Sequence, residues 1–222
     1  MHPGARPSNR TDRLVGWILF VGSLQFVVEM AVEELLLPWY NIVQNAISDL
    51  GGRNAGGLGI FFDASVFGVG LAAAVSALLL WSRLPRSRSL RVGEVFLLVA
   101  GIGAMIVGLY PEYTHAPHAI GAVLAFLFGN LGLMALGRGF RKTGEELWFA
   151  RFSSLCGLFG MLSIVVAILA GVFIAQGVFG ITERMIVAPI LLWAIVYGLR
   201  RMRGTFPSAD AKPLPAGPPT GA

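Results

Sequence analysis

The sequence predicts an all-α protein of the membrane, a bundle of six transmembrane helices with one further helix lying at the membrane surface. Hydrophobic residues make up 55% of the chain and charged residues only 13%, about half the share found in soluble globular domains. Six apolar stretches are each long enough to cross ~30 Å of hydrocarbon, which takes ~20 helical residues. Basic residues are dense in every second loop.

The six predicted spans follow one another with short polar connections, so the chain forms one membrane domain. Residues 1–13 are an N-terminal segment, residues 14–200 the membrane domain, and residues 201–222 a tail rich in Pro, Ala and Gly that we expect to be disordered. The spans are Leu14–Glu33, Leu58–Trp81, Val92–Tyr110, Ala119–Leu136, Trp148–Ile174 and Ile181–Leu199.

The charges predict the orientation of these spans. Fifteen of the 17 Lys and Arg residues fall on one side, and only Arg53 and Arg184 fall on the other. The positive-inside rule makes the basic side cytoplasmic, so both termini are expected inside a multi-pass protein of the cell membrane. This placement explains the net charge of +5 without nucleic acid, and membrane lipids are the expected partners. The oligomeric state stays open, a homo-oligomer included.

The first outer loop carries its own helical pattern. After Pro38, apolar residues recur at helical spacing over residues 39–50, and the opposite side is polar. Gly51 and Gly52 would end such a helix. The pattern predicts an amphipathic helix at the interface. Its polar face would carry Asn45 and Asp49, one helical turn apart, although Ser48 and Asp49 could equally satisfy the backbone of a turn.

Seven of the twelve acids are predicted in the outer half of the protein. Gln25, Glu29 and Glu33 recur every four residues, which places them on one face of the first span. A carboxylate below the headgroups must be neutral, paired or beside water. Arg184, at the outer start of the sixth span, is the expected partner, in a structural ion pair or in a functional site.

The second outer loop adds imidazole groups to these acids. Pro117 suits the start of the fourth span, which places His118 in the first turn of that helix, where the helix dipole favours a neutral ring. Glu112, His115 and His118 could meet Asp49 above the bundle. Carboxylate and imidazole ligands suit a divalent transition metal, so Asp49, His115 and His118 are possible metal ligands, although the His-x-x-His spacing alone is not diagnostic.

Three elements of the sequence together resemble a known family. They are the string Asn45-Ala46-Ile47-Ser48-Asp49-Leu50-Gly51, the pair Phe62-Asp63, and the Pro111-Glu112…His118 element. The chain is similar, over roughly residues 12–200, to the bacterial and archaeal membrane family known as domain of unknown function 998. That resemblance implies six spans in this order. It also implies that Asn45, Ser48, Asp49, Glu112 and His118 belong to the pattern that defines the family, but it implies no activity.

Two functional interpretations therefore remain. In the preferred one, an outward-facing polar pocket binds a lipid headgroup, a cation or a small ligand without catalysis. Its candidate residues are Asn45, Ser48, Asp49, Glu112, His118, Arg184, Glu29 and Glu33. The alternative is a metal-dependent hydrolase acting on a lipid at the extracytoplasmic face, with Asp49 and His118 holding a metal-bound water. A third imidazole for such a site is missing from the outer face, because His2 is predicted to be cytoplasmic.

Overall fold

The computed structural model describes residues 10–84, 87–173 and 177–204, and these residues form helices and turns without any strand. Short 3₁₀ segments cover Ile47–Gly51, Arg53–Leu58 and Glu112–Thr114, and one π-helical turn covers Leu124–Phe128. The α-helices are α1 (Arg10–Leu36), α2 (Gly59–Leu80), α3 (Arg88–Leu109), α4 (Ala116–Val123), α5 (Gly129–Lys142), α6 (Leu147–Phe173) and α7 (Phe179–Arg203).

Six helices are long and apolar enough to cross a membrane, as the sequence predicts. Helix α2 forms one span together with the 3₁₀ segment before it, and α4, the π turn and α5 together form another. Each span packs against its neighbours in chain order, and α7 packs back against α1. The six spans therefore form a closed ring. The predicted tail over residues 201–222 lies outside the described residues from position 205 onward.

The outer surface of the ring is apolar, as contact with lipid requires. Helix α6 shows this most clearly, because Leu155, Leu162 and Ile168 expose 56–63% of their surface. Between helices, glycine allows close approach: a Cβ atom on Gly70 of α2 would lie 2.6 Å from the carbonyl oxygen of Gly101 on α3. Such contacts between small residues are typical of helix packing in membranes.

The two ends of the ring differ in charge. One end, called the acidic end below, carries residues 37–58 and 110–115 and holds Asp49, Glu112 and Glu183. The opposite end, called the basic end, is tied together by ion pairs of α7: Arg200 with Glu145 at 2.7 Å and Arg201 with Asp12 at 2.7 Å. Of the described Lys and Arg residues, all but Arg53 and Arg184 belong to the basic end.

The predicted amphipathic helix over residues 39–50 is wrong for the described structure. The chain there forms turns, followed by the 3₁₀ segment Ile47–Gly51. The reason is that its polar side chains bind the local backbone. The Asn41 side-chain oxygen accepts from the N–H groups of Val43 (2.9 Å) and Gln44 (3.3 Å), and the Asn45 side chain accepts from the N–H of Asn41 (2.8 Å). Such bonds compete with the helical hydrogen-bond pattern.

Candidate functional site

The acidic end is organised around Glu183, in the second turn of α7. Its side chain is 8% exposed, and its Oε2 atom accepts a hydrogen bond of 2.5 Å from the backbone N–H of Ile47. The residue after it in the loop, Ser48, lines the same interior cavity as Glu183. Glu183 therefore fixes the first loop over the end of the ring, and it is not the solvated helix end that its sequence position suggests.

Arg184 holds the same loop from the other side. Its guanidinium donates to the carbonyl oxygens of Ile42 (3.1 Å) and Asn45 (3.3 Å), to the hydroxyl of Tyr40 (2.6 Å) and to the carboxylate of Glu34. The predicted pairing of Arg184 with Glu29 or Glu33 is therefore wrong. Glu34 sits one residue closer to the loop, where both terminal nitrogens of the guanidinium find acceptors.

Three of the predicted site residues meet in one contact. Asp49 Oδ2 accepts from the Asn45 side chain at 3.0 Å and from the N–H of Ala46 at 2.9 Å. The carboxyl of Glu112, from the second loop, lies in hydrogen-bonding contact with Asp49. Burial, then this contact and the nearby negative charges of Asp49 and Glu183, raise the pKa of Glu112 from 4.5 to about 7. The two loops therefore meet at a pair of carboxyl groups that favours holding a proton.

His118 lies in the first turn of α4, with Pro117 beside it, as the sequence predicts. Its Nδ1 atom is 2.8 Å from the carbonyl oxygen of Tyr110. A carbonyl oxygen only accepts, so Nδ1 carries the proton in this bond; in a neutral ring, Nε2 is then an acceptor. His115, just before the helix, is exposed and has a φ of 57°, unusual for a residue with a side chain.

Below these loops lies an interior cavity of ≈ 120 Å³. A single water needs only ~10–15 Å³ of such space. Its described lining is apolar or glycine except for Ser48, His118 and Glu183, which all belong to the acidic end. Two residues of the π turn, Ala125 and Phe126, also line it, and π turns often occur at functional sites. The cavity is therefore polar at one end and apolar along the rest of its length.

The length of the cavity follows from the helices that line it. On α3, lining residues extend from Val107 to Leu97, ten residues or ~15 Å along a helix. On α2 they extend from Phe62 to Ala73, ~16 Å by the same rise. Half of a bilayer's hydrocarbon core is ~15 Å thick. The cavity thus runs about one leaflet deep from the acidic end.

Glu29 and Glu33 form a separate group between α1 and α2. The hydroxyl of Ser65 donates to Glu29 at 3.2 Å, and the Gln25 side chain donates to the carbonyl oxygen of Ser65 at 2.9 Å. Glu33 is 3% exposed and lies next to Glu29. The shared face predicted for Gln25, Glu29 and Glu33 is directed at α2, and none of the three lines the cavity.

The possible metal ligands Asp49, His115 and His118 are not gathered into one coordination group. Across residues 10–84, 87–173 and 177–204, no three His, Cys, Asp or Glu side chains are placed to hold one ion. Asp49 is bound to Asn45 and Ala46, and His118 is turned toward Tyr110.

Sequence reasoning missed two features of this site. One is the role of Glu183, which only the packing of α7 against the first loop reveals. The other is the cavity. A sequence signal was present, because Ala100 and Ala104 recur at helical spacing. In the structure these alanines line the cavity.

The fold and the site together define a polytopic membrane protein, a ring of six apolar helices with a polar group of side chains at one end. The chain belongs to the family described as "Protein of unknown function (DUF998)", which matches residues 20–200. No curated protein and no solved structure matches it significantly.

Proposed function

We propose that this protein binds a membrane lipid, with the polar head at the acidic end and one hydrocarbon chain in the interior cavity. The observation that supports this most directly is the cavity itself: it is about one leaflet deep, and its lining, as far as the chain is described, is polar only at Ser48, His118 and Glu183. A lipid has the same division into a polar head and an apolar chain.

The polar head of the lipid, and not its hydrocarbon chain, should determine which lipid binds. A hydrocarbon chain moving from the bilayer into the cavity exchanges one apolar surrounding for another, and gains little free energy from the hydrophobic effect. An empty cavity, in contrast, leaves its lining atoms without contact partners. A chain therefore fills the cavity readily, and the polar groups at the acidic end decide which lipid stays.

Orientation is part of the proposal. The positive-inside rule places the basic end in the cytoplasm of the cell, so the acidic end faces outward and the bound lipid comes from the outer leaflet of the cell membrane. The hydrolase predicted as an alternative gains no support from the described residues, because they present no group of metal ligands.

The experiment is to purify the protein in a mild detergent and to identify the lipid that remains bound, by native mass spectrometry and by analysis of an organic extract. Ala73 on α2 and Ala122 on α4 line the cavity. Replacing either by leucine fills it, and we expect the bound lipid to be lost.

Two exposed alanines on the same helices provide matched controls. Ala64→Leu on α2 and Ala119→Leu on α4 add the same bulk on an exposed surface, so both variants should retain the lipid. A wild-type protein free of lipid, or equal retention in all four variants, would refute the proposal. Thermal unfolding of each variant identifies any that fails to fold.

A further inference from the structure

Five side chains at the acidic end point to the chemistry of the lipid head. Glu183, His118 and Ser48 line the cavity there, and the carboxyl pair of Asp49 and Glu112 stands close enough to Glu183 to interact with it electrostatically. The question is whether these groups offer donors or acceptors to a ligand.

Glu183 and His118 both offer hydrogen-bond acceptors to a ligand. Glu183 uses Oε2 for the N–H of Ile47, and Oε1 is the second oxygen of this side chain, which is more than nine-tenths buried and lines the cavity. A carboxylate oxygen accepts hydrogen bonds and donates none. The Nδ1–H group of His118 donates to the carbonyl oxygen of Tyr110, and in a neutral ring the lone pair of Nε2 is the remaining hydrogen-bonding group.

The cations nearby are directed elsewhere. No Lys or Arg is found among the described residues that line the cavity. Arg184 is held by Glu34, Tyr40 and the loop carbonyl oxygens, and Arg53 lies over the ring of Tyr113, 5.0 Å from its centroid. A phosphate or carboxylate head would therefore meet carboxyl groups and acceptor lone pairs, which repel it.

Taking the lipid-binding function proposed above as given, we infer that the bound lipid carries a head that donates hydrogen bonds and has no negative charge, a hydroxyl or an ammonium group, at the point where it meets Glu183 and His118. Oε1 of Glu183 and Nε2 of His118 accept from this head. Both sources of donors, a long-chain alcohol and a long-chain amine, share the chemistry that the site recognises.

The test compares four probes with one and the same saturated chain: lauryl alcohol, laurylamine, lauric acid and lauryl phosphate. Binding to the purified protein is measured by native mass spectrometry and by the rise in unfolding temperature that a bound ligand causes. The cavity-filled Ala73→Leu variant measures partition into the detergent micelle and is subtracted. We expect the alcohol or the amine to bind at least about tenfold more tightly than the acid and the phosphate, as one mismatched buried polar group implies.

A single substitution sharpens the test. Glu183→Gln keeps an oxygen for the N–H of Ile47 and turns an amide NH₂ group, a donor, toward the cavity. The preference should then move toward lauric acid by about tenfold or more. If lauric acid or lauryl phosphate binds wild-type protein as tightly as the alcohol and the amine, this inference is overturned and the lipid-binding function stands. If no probe binds above the Ala73→Leu background, the lipid-binding function itself fails.

Discussion

The carboxyl of Glu183 accepts a hydrogen bond from the backbone N–H of Ile47, a residue 136 positions earlier in the chain. The next residue, Arg184, binds carbonyl oxygens of the same loop at Ile42 and Asn45. Two consecutive residues of α7 thus satisfy both the donor and the acceptor groups of a loop that has little regular structure of its own. The loop lies over the acidic end of the cavity, where Ile47 and Ser48 line it, because α7 holds it there.

Removing the carboxyl group of Glu183 should weaken the attachment of the first loop to α7. In Glu183→Ala the N–H of Ile47 is left buried without a partner, which costs ~1–3 kcal/mol. Glu183→Gln retains a side-chain oxygen and should stay within about 1 kcal/mol of wild type, since a neutral acceptor replaces a charged one. The free energy of unfolding, measured by SDS titration in mixed micelles, compares the two. Equal stability of both variants would contradict the assigned role.

Backbone contact between α7 and the loop gives a second prediction. A Cβ atom on Gly180 would lie 2.1 Å from the carbonyl oxygen of Asn45 and 2.6 Å from that of Ile42. Gly180→Ala should therefore push the loop off α7 and speed hydrogen exchange at residues 41–47. Gly57→Ala is the control, because a Cβ atom there meets nothing within 4 Å. Unchanged exchange in Gly180→Ala, measured by mass spectrometry, would rule this packing out.

Glu112 should make stability depend on pH. Its pKa is raised from 4.5 to about 7 in the folded protein, so between these values the folded state holds a proton that the unfolded state has lost. Its contribution is complete below pH 4.5 and is lost as the pH rises through about 7. In Glu112→Gln, the unfolding temperature should depend less on pH across this range than it does in wild type.

Asp49 provides a second variant for the same measurement. Its carboxylate is, after burial, the main cause of the raised pKa of Glu112. Asp49→Asn removes that charge and keeps an oxygen for the N–H of Ala46. The loss of stability should then be smaller and should end at a lower pH than in wild type. A Glu112→Gln variant with the wild-type pH profile would show that another group titrates.

The orientation can be tested with single cysteines. Cys156 is buried and is first replaced by alanine. Ala116→Cys at the acidic end and Ser82→Cys at the basic end both occupy exposed positions. We expect an impermeant thiol reagent to label Ala116→Cys in intact cells and to label Ser82→Cys only after the membrane is opened. The reverse pattern would place the acidic end in the cytoplasm.

The sequence alone predicted the six spans because each is a local property: ~20 apolar residues in a row have one low-energy state in a bilayer, a helix. It also predicted that Pro117 starts a helix, with His118 in its first turn, since both depend on neighbours in the chain. The proximity of Asn45 and Asp49 was predictable for the same reason, because the two residues are close in the chain. They meet through turns and a 3₁₀ segment, and not through the predicted helix.

The first loop has a structure that local sequence patterns do not predict. Residues 39–50 have a helical pattern of apolar residues, yet Asn41, Asn45 and Asp49 bind the backbone of their own loop, and α7 holds the result in place. Whether a polar side chain faces water or bonds to a nearby N–H group is decided by a small difference in free energy, which distant contacts shift.

The sequence by itself determined that this chain is a six-span membrane protein with its Lys and Arg residues concentrated at one end, because hydropathy and charge act locally and add along the chain. The tertiary structure alone decided that Arg184 binds Glu34, that Glu183 holds Ile47, and that the alanines of α2, α3 and α4 enclose a cavity. Those outcomes depend on which helix faces which around a closed ring, and that order is set by packing between residues far apart in sequence.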